Sequence, residues 1–504
     1  MKRDIACLAA LLTLWAWMAY PIAHSGFLSN DALREITSAL NVMHGRWFGD
    51  PTFLEETPWY PPIGSYLAAV AALLFHAPAF TIYQWESLFV NWMIPAGLFL
   101  CVRLQWGYRV AIASTLVFLF AMPWWQRGVV CTLPPYQVPI WMWTVLLLYA
   151  MYQKQRSLPW ALACGAVLGL SVAMHPLFPT LLIAVFAVQP FFGRQVLSRV
   201  RESVPIVLPA AIIGGAAFFM LMRGPRLNGA AMSYFAGEQL YSATFALFNR
   251  NYLVILCGIV GVVAACRTWC VGSRMLVLFL LATLVGQLRG YAWDLRWNVP
   301  WLFVLPYYNT HQFQILFQLG WAVCAGLGIV TICEATKLVR WRLGPVVSLL
   351  GFAILCAVAS YRGVQAAPGN LRAFLPIDPS QRAPMSQWIE AHTSINDVFA
   401  GDPFVLETVN VQTGRKVVIL PSAFSCNPRV DLGSRARDLG TLQTTDSVGL
   451  FEQTLRARHV TYCIASRNWV PAVFAARGIP KFLDAVYSDN ENGMTIYQVL
   501  PTAD

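Results

Sequence analysis

The sequence predicts a polytopic α-helical membrane bundle with a small exported α/β domain at its C-terminal end. Of its 504 residues 57% are hydrophobic and 12% charged, whereas soluble domains average about 25% charged residues. Long apolar windows recur from Ile5 to about Tyr361, most of them near the roughly 20 residues that cross ~30 Å of hydrocarbon. The composition becomes polar near Ala366. We therefore assign residues 1–365 to the bundle and 366–504 to the soluble domain.

The apolar windows predict about 11 membrane spans. We place them at 5–24, 79–102, 109–123, 136–153, 159–174, 177–193, 203–222, 251–266, 274–288, 313–333 and 345–361. The first window follows Met1-Lys2-Arg3 like a signal sequence. Because no clear Ala-x-Ala cleavage site follows it, we expect a retained first helix.

Basic residues orient this bundle. With the N-terminus in the cytoplasm, every inner loop carries Lys or Arg and few acids, as the positive-inside rule requires. The residues concerned are Lys2, Arg3, Arg103, Arg109, Lys154, Arg156, Arg194, Arg199, Arg201, Arg267, Arg274, Lys337, Arg340 and Arg342. This predicts a multi-pass protein of the inner (plasma) membrane with a periplasmic or extracellular C-terminal domain. It requires the short apolar segment Ile63–His76 to lie on the outer surface instead of spanning.

The net charge of +11 has two readings. A basic balance can mark a nucleic-acid partner, but here the basic residues lie in short loops between apolar segments, where they orient a membrane protein. We therefore predict contact with membrane lipid and no nucleic-acid partner.

The first outer loop, residues 25–78, carries the most informative residue, Asp31. A carboxylate at the mouth of a membrane bundle is costly unless it meets water, a cation or a substrate. Helical spacing over Ala32–His44 predicts an amphipathic helix, with Asp31 in its first turn and Glu35 one turn later on the same face.

The region beyond Ala366 has soluble periodicity. We predict helices at Pro384–His392 and Leu450–Arg458, and strands at Lys416–Leu420, Val460–Ala465 and Thr495–Leu500. No Gly-rich phosphate loop, HExxH motif or nucleophile elbow occurs. Because nucleotides are scarce outside the membrane, a transferase there would take its activated group from a lipid.

Four sequence features resemble the GT-C superfamily of polytopic membrane glycosyltransferases, which use lipid-linked sugars. They are Ser29-Asn30-Asp31-Ala32 after the first span; Gly45–Asp50 leading to Trp59-Tyr60-Pro61-Pro62-Ile63; Ala173-Met174-His175-Pro176 at an outer helix end; and the order of elements in the tail. The chain is similar to protein mannosyltransferases and to bacterial aminoarabinose-transferase-like members. The resemblance implies transfer of a sugar from a polyprenyl phosphate to a cell-envelope glycan, lipid or protein at the outer face.

That resemblance gives Asp31 the role of catalytic base, since a carboxylate can accept the proton of an attacking hydroxyl or amine. The alternative is that Asp31 is only a first-turn charge on an interfacial helix. Glu35 either contacts substrate or pairs structurally with an arginine.

Candidate substrate-binding residues lie near other outer helix ends. Arg289 and Arg296 flank Asp294, and an arginine fork suits phosphate oxygens, although Arg289 could equally be a snorkelling helix end. Glu86 is an acid within a span. His175 and His311 lie at outer helix ends, where a packing or capping role is the alternative.

Many relatives carry a second acidic residue between spans three and four, but Gln137 stands about there in this chain. We therefore predict no metal site, and a divalent-metal cofactor lacks support. Two rival functions stay open: a lipid or polysaccharide transporter or flippase, and a catalytically inactive GT-C-fold assembly factor.

Overall fold

The computed structural model describes eleven stretches of the chain. They are residues 2–24, 30–54, 56, 63–122, 134–175, 177–193, 195–222, 252–294, 310–335, 384–420 and 430–501. The chain forms two compact units. The helical unit contains residues 1–27, 84–223 and 228–374; the α/β unit contains residues 28–83, 224–227 and 375–504.

The helical unit is built from apolar helices. They are α1 (Lys2–His24), most of α4 (Ala79–Phe89), α5 (Met93–Trp106), α6 (Tyr108–Ala121), α7 (Pro134–Gln155), α8 (Leu158–Val172), α9 (Leu177–Val188), α10 (Val196–Met222), α11 (Tyr252–Thr268), α12 (Val271–Asp294) and α13 (Thr310–Ala335). A 3₁₀ turn, Gln189–Phe192, follows α9.

Small residues let these helices approach closely. A Cβ atom added at Gly261 of α11 would lie 1.7 Å from the backbone oxygen of Cys324 in α13. An added Cβ at Gly165 of α8 would lie 2.4 Å from the oxygen of Ile206 in α10. Close backbone contact at small residues is typical of helix pairs in membranes, so these pairs favour the predicted membrane bundle.

The predicted span 79–102 is two helices, α4 and α5, with a break at Val90–Trp92. The reason is Pro95, whose ring clashes with the carbonyl of the residue four positions earlier, Asn91. Around the break, the amides of Val90 and Asn91 both donate to the Glu86 oxygen at 2.9 Å.

Among the described residues, two helices are long and apolar enough to cross a membrane alone: Val196–Ala217 and Phe313–Ala335. A third candidate is the bent pair Ile63–Phe75 and Ala79–Glu86, which turns through 109°. The other apolar helices are shorter, and the segment predicted at 345–361 lies outside the described residues. The number of 11 spans and the surface position of Ile63–His76 stay predictions.

Side-chain contacts bring the predicted inner loops together at one end of the helical unit. We call this end, which carries Arg103, Arg109 and Arg156, the basic end. The contacts are Arg103 Nε to Asp4 Oδ1 (2.5 Å), Arg109 to Glu334 (3.8 Å), Arg156 to Glu202 (2.6 Å), Trp106 Nε1 to Ser273 Oγ (3.4 Å) and Trp269 Nε1 to the Phe192 oxygen (3.1 Å). They join the C-terminal ends of α5, α7 and α13 to the N-terminal ends of α1, α6, α10 and α12. Which side of a membrane this end faces is a prediction from charge.

In the α/β unit, the chain after residue 384 forms a five-stranded sheet flanked by helices. The helices are α14 (Pro384–His392), α15 (Pro403–Thr413), α16 (Leu432–Thr444), α17 (Val448–Ala457) and α18 (Ala472–Arg477). The strands are β1 (Val398–Gly401), β2 (Lys416–Val417), β3 (Val460–Ala465), β4 (Leu483–Asp489) and β5 (Met494–Val499), in the order β2-β1-β3-β5-β4. Strand β1 pairs in parallel with β2 and β3, and β5 pairs antiparallel with β3 and β4.

This architecture confirms the predicted α/β class of the tail. The predicted helix at 384–392 and the predicted strand at 460–465 have the observed bounds, and the predicted closing strand differs by one residue at each end. Strand β2 is shorter than the predicted Lys416–Leu420, although the Val418 amide still donates to the Phe399 oxygen of β1 at 3.0 Å.

The α/β unit also contains the first outer loop. Its helices α2 (Asn30–Met43) and α3 (Ile63–Phe75) agree with the predicted Ala32–His44 and Ile63–His76 helices. Ile36 and Ala39 of α2 and Ala68 of α3 share one buried cluster with Val411 of α15. The loop after α2 continues this packing, since the Arg435 guanidinium lies 4.5 Å from the centre of the Phe53 ring. The loop and the tail therefore share one folded unit.

Lys416 joins these two parts. Its side chain is fully buried, and its Nζ donates to Asn41 Oδ1 at 2.6 Å, to the Asp50 oxygen at 2.8 Å and to the Pro51 oxygen at 3.2 Å. Three acceptors match the three donors of an ammonium group. The next amide, Val417 N–H, donates to the Thr52 oxygen at 3.0 Å, so the loop also covers the outer edge of β2.

We expect Lys416→Met to release the loop from the tail. The substitution removes the donor to the buried Asn41 Oδ1 and one of the two donors to each of the Asp50 and Pro51 oxygens, and an unsatisfied buried group costs about 1–3 kcal/mol. Hydrogen exchange of the Thr52 and Val417 amides should then accelerate at least about tenfold. The exposed Lys481 supplies the control, because Lys481→Met should leave both amides protected. Equal protection in the two variants would contradict this role for Lys416.

The same lysine predicts a pH dependence of stability. Burial lowers the pKa of Lys416 from 10.5 to about 7. Between these values the unfolded chain holds a proton here that the folded chain has lost, so the free energy of unfolding rises with pH from about 7 to about 10. Thermal unfolding at pH about 7 and about 9 should show this rise in the wild type and a smaller one in Lys416→Met. Parallel curves would assign the rise to other groups.

Candidate active site

Asp31 lies in the first turn of α2. Acidic residues are favoured there because the N-terminal end of a helix carries partial positive charge. The backbone places Asp31 one turn before Glu35 on the same helix face. The Asp31 side chain lies outside the described part of the structure, so its predicted role as a base is taken up below as a proposal.

Glu35 anchors this turn of α2. Its side chain is buried, with 2% exposure, and one carboxylate oxygen accepts from Arg34 Nη2 at 3.0 Å. The other accepts from the Ser65 hydroxyl of α3 at 2.5 Å. A buried carboxylate is tolerated when it is paired and hydrogen-bonded in this way. These contacts fix the orientation of the helix that carries Asp31, and they favour the structural reading of Glu35.

The loop after α2 is held by side-chain bonds to its own backbone. Asp50 Oδ1 accepts from the amides of Thr52 and Phe53 at 2.8 and 2.9 Å, while Asn41 Nδ2 donates to the Asp50 oxygen at 3.0 Å. His44 lies beside this loop, and burial and the nearby Arg415 charge lower its pKa. The turn between Asn41 and Phe53 is therefore fixed.

The same loop exposes two aromatic side chains. Trp47 is 44% exposed and Phe48 is 77% exposed. The Tyr66 hydroxyl donates to the Trp47 backbone oxygen, and the two rings meet edge to face with centroids 5.4 Å apart. Exposed aromatic groups on a fixed loop suit a lipid–water boundary or a sugar ring.

Other predicted site residues lie in the helical unit, at the end away from the basic end. Glu86 is half-buried in α4, before the break that leads to α5, and His175 follows α8. Arg289 and Asp294 lie in the last turns of α12, and His311 lies in the first turn of α13. These ends of α12 and α13 meet, because an added Cβ at Gly286 would lie 2.1 Å from the Phe313 ring.

The side chains of Arg289, Asp294 and His311 lie outside the described part of the structure, as does the whole of Arg296. His175 is buried, with 1% exposure, and its ring packs against Phe178 at a centroid distance of 5.3 Å. A buried, packed ring does not reach a solvent-filled site without rearrangement. The described contacts of His175 therefore favour the packing alternative.

Two glutamines near these helix ends were not identified from the sequence. Gln287 of α12 and Gln314 of α13 flank the contact of Gly286 with Phe313, and both are buried, at 4% and 0% exposure. Gln287 Nε2 and both amide atoms of Gln314 form no hydrogen bond with the residues that the structure describes. Buried amides without partners are rare, which makes them candidates for contact with water or a polar ligand. Glutamines inside apolar windows give no pattern that separates this role from helix packing.

Among the described side chains, no three His, Cys, Asp or Glu groups are close enough to hold a metal ion. The described range omits the side chains of Asp31 and Asp294. The expectation of no metal site therefore stays a prediction.

The sequence also allows a disulfide between Cys426 and Cys463. Cys463 is a buried free thiol, and Cys426 lies outside the described residues.

No protein-family model matches the chain, and no curated protein matches it in sequence. Solved structures do match. The oligosaccharyltransferase of Archaeoglobus fulgidus, tethered with an acceptor peptide, has a TM-score of 0.59 and 12% identity, over 98% of this chain and 75% of that one. ArnT from Cupriavidus metallidurans has a TM-score of 0.57 and 13% identity, over 98% of both chains.

The arabinofuranosyltransferase AftD from Mycobacteria gives a TM-score of 0.60 and 15% identity, over 100% of this chain and 40% of that one. All three neighbours are GT-C glycosyltransferases, and the chain has their fold. The match to ArnT covers nearly the whole of both chains, including the C-terminal sheet region. This confirms the GT-C fold predicted from the sequence.

We expect Glu35→Gln to destabilise the α/β unit by roughly 1–3 kcal/mol, because it leaves the Arg34 guanidinium without its buried carboxylate. Glu452→Gln is the matched control. Its carboxylate pairs with Arg456 at 2.7 Å, but about 30% of each side chain is exposed, so a loss of at most about 0.5 kcal/mol is expected. Denaturant unfolding of both variants measures the difference. Equal losses would contradict an anchoring role for Glu35.

Proposed function

We propose that the protein is an integral membrane glycosyltransferase that moves a sugar from a polyprenyl-phosphate donor to a cell-envelope acceptor at the outer face. The observation that carries this proposal is Asp31, in the first turn of a helix anchored within a GT-C fold. Two neighbours support the donor class: ArnT has a structure bound to undecaprenyl phosphate, and AglB from Archaeoglobus fulgidus has one in complex with a dolichol-phosphate.

Asp31 is the base in this proposal. An acceptor hydroxyl or amine gives its proton to the Asp31 carboxylate as its oxygen or nitrogen attacks the anomeric carbon. The bond between that carbon and the phosphate oxygen breaks, and the polyprenyl phosphate leaves with the bonding electrons. One displacement inverts the configuration of the sugar. The bonds of Glu35 to Arg34 and Ser65 support a fixed position for the helix that carries the base.

The leaving phosphate gains negative charge and needs cationic partners. Arg289 at the end of α12 and Arg296 just beyond it are proposed to hold it, since guanidinium groups bind phosphate oxygens in pairs. Asp294 would orient them, and Glu86 and His311 are proposed to line the substrate path. The common location of Glu86, Arg289, Asp294 and His311 at the end away from the basic end supports this assignment.

The basic end is proposed to face the cytoplasm and the opposite end the periplasm or cell exterior, because positive residues are retained on the cytoplasmic side. The ion pairs that gather Arg103, Arg109 and Arg156 at one end support this orientation. Membrane lipid and a cell-envelope acceptor are the partners that this arrangement implies.

We expect Asp31→Asn to lower sugar transfer about 10²–10⁴-fold, because the amide cannot accept the proton of the acceptor. Purified membranes supplied with radiolabelled polyprenyl-phosphate sugars measure the transfer. Asp446→Asn, at an exposed position of the tail, removes the same charge and should transfer normally. Binding of the donor lipid should persist in Asp31→Asn, which separates loss of chemistry from loss of folding.

Two outcomes would contradict this proposal. Transfer that persists at the wild-type rate in Asp31→Asn would remove this residue as the base. Movement of the lipid-linked sugar across reconstituted membranes, without transfer to any acceptor, would identify a transporter or flippase instead.

A further inference from the structure

Arg274 is a buried cation, and no acidic side chain in the described part of the chain pairs with it. It lies in the first turn of α12 at the basic end and is 4% exposed. Its Nη1 donates to the Trp269 backbone oxygen at 3.3 Å, but its Nε and Nη2 form no hydrogen bond with any residue that the structure describes. An uncompensated buried charge is strongly destabilising. Arg274 therefore needs an anion that the described protein residues do not supply.

The surroundings of Arg274 increase this need. A second guanidinium, that of Arg199, lies close by. An added Cβ at Gly193 would lie 2.8 Å from Arg199 Nη1, and the preceding residue, Phe192, accepts at its backbone oxygen from Nε1 of Trp269, the residue to which Arg274 donates. The acidic residues of the basic end that the structure describes are used elsewhere: Asp4 pairs with Arg103, Glu202 with Arg156 and Glu334 with Arg109. Two cations thus share a site to which no described carboxylate is directed.

An apolar cavity lies in the same part of the helical unit. It is formed between α5, α7, α9, α12 and α13, and its lining includes Trp106, Met142, Gly272, Met275 and Phe279. Gly272 and Met275 stand on either side of Arg274 in the first turns of α12, which connects the two features. Apolar walls of this kind suit a hydrocarbon chain.

We propose that Arg274 and Arg199 bind the phosphate of an anionic membrane lipid whose hydrocarbon chain fills this cavity. Guanidinium groups bind phosphate oxygens through charge-assisted hydrogen bonds, and the unused Nε and Nη2 of Arg274 can donate side by side to two oxygens of one phosphate. Basic pockets between helices on the cytoplasmic side of a membrane recognise lipid head groups. The site is separate from Asp31 and from the proposed transfer reaction.

The test uses the full chain, purified and titrated with phosphatidylglycerol, phosphatidylcholine or glycerol phosphate. Native mass spectrometry counts bound lipid, and thermal unfolding measures the stabilisation that binding produces. We expect retention of phosphatidylglycerol, much weaker retention of phosphatidylcholine and no stabilisation by glycerol phosphate. Arg274→Gln should weaken phosphatidylglycerol binding at least about tenfold, whereas Arg267→Gln, at an exposed position of α11, should not.

The cavity is tested by a second pair of variants. Ala150→Phe places a ring in the cavity that Ala150 lines and should reduce phosphatidylglycerol binding although both arginines remain. Leu256→Phe adds a ring at a position 60% exposed on α11 and should leave binding unchanged. With phosphatidylcholine as the only lipid, the Arg274→Gln variant should unfold at the wild-type temperature or above, because the substitution removes a buried charge for which this lipid supplies no net negative partner.

Three results would overturn the proposal. They are equal binding of phosphatidylglycerol and phosphatidylcholine, unchanged binding in Arg274→Gln, and stabilisation by glycerol phosphate as large as that by the lipid. The last result would assign the site to a soluble phosphate.

Discussion

The hydrogen bonds of the buried Lys416 side chain are the interaction on which the α/β unit depends. They connect the tail to a loop near the start of the chain through Asn41, Asp50 and Pro51. Without them, the loop would retain the apolar contacts of α2 and α3 and the bond from the Val417 amide to the Thr52 oxygen, but it would lose the side-chain donor that joins Asn41, Asp50 and Pro51 to the sheet. The same loop carries α2, so the position of Asp31 is linked to a residue of the C-terminal region. The catalytic proposal thus rests on a structural bond that lies outside the helical unit.

The helical unit has two chemically different ends. At one end, ion pairs such as Arg156 with Glu202 neutralise charges that the sequence places in short loops. At the other end, apolar helices finish near the buried residues Gln287 and Gln314, whose side chains include polar atoms that no described residue pairs by a hydrogen bond. Arg274 differs from Arg103, Arg109 and Arg156 of its end, which are partly exposed and paired with acidic residues, because it is buried. A bundle with charged residues at one end and buried polar residues at the other can bind different ligands at its two ends.

Much of the fold could be predicted from the sequence. Apolar windows identify the helices, and the alternating, β-branched pattern of Val460–Ala465 identifies β3 with its observed bounds. Other elements lacked a signal. Strand β1 is a run of four buried residues ending in Gly401, too short to be separated from a loop, and β4 has no regular alternation of buried and exposed residues. The break near Asn91 depends on Pro95, which the hydropathy of the window conceals.

The site was only partly predictable. Asp31 and Glu35 were found because acidic residues stand out in an apolar chain, and helical spacing gave their common face. Lys416 was assigned only to a strand, because its partner Asn41 is 375 positions away. Arg274 was read as one more residue of the basic inner loops, since a sequence contains the charge of a side chain but not its depth. Long-range pairing and burial are properties of the folded chain.

The 375-residue separation between Asn41 and Lys416 has a consequence for biogenesis. At about 5–20 residues per second, a ribosome needs roughly 20–75 s to synthesise the intervening chain. During this interval the early loop exists without its partner, and it reaches its final conformation only after the tail has been made. The proposed catalytic helix would therefore be completed last, so a partly synthesised chain would be inert toward its substrates.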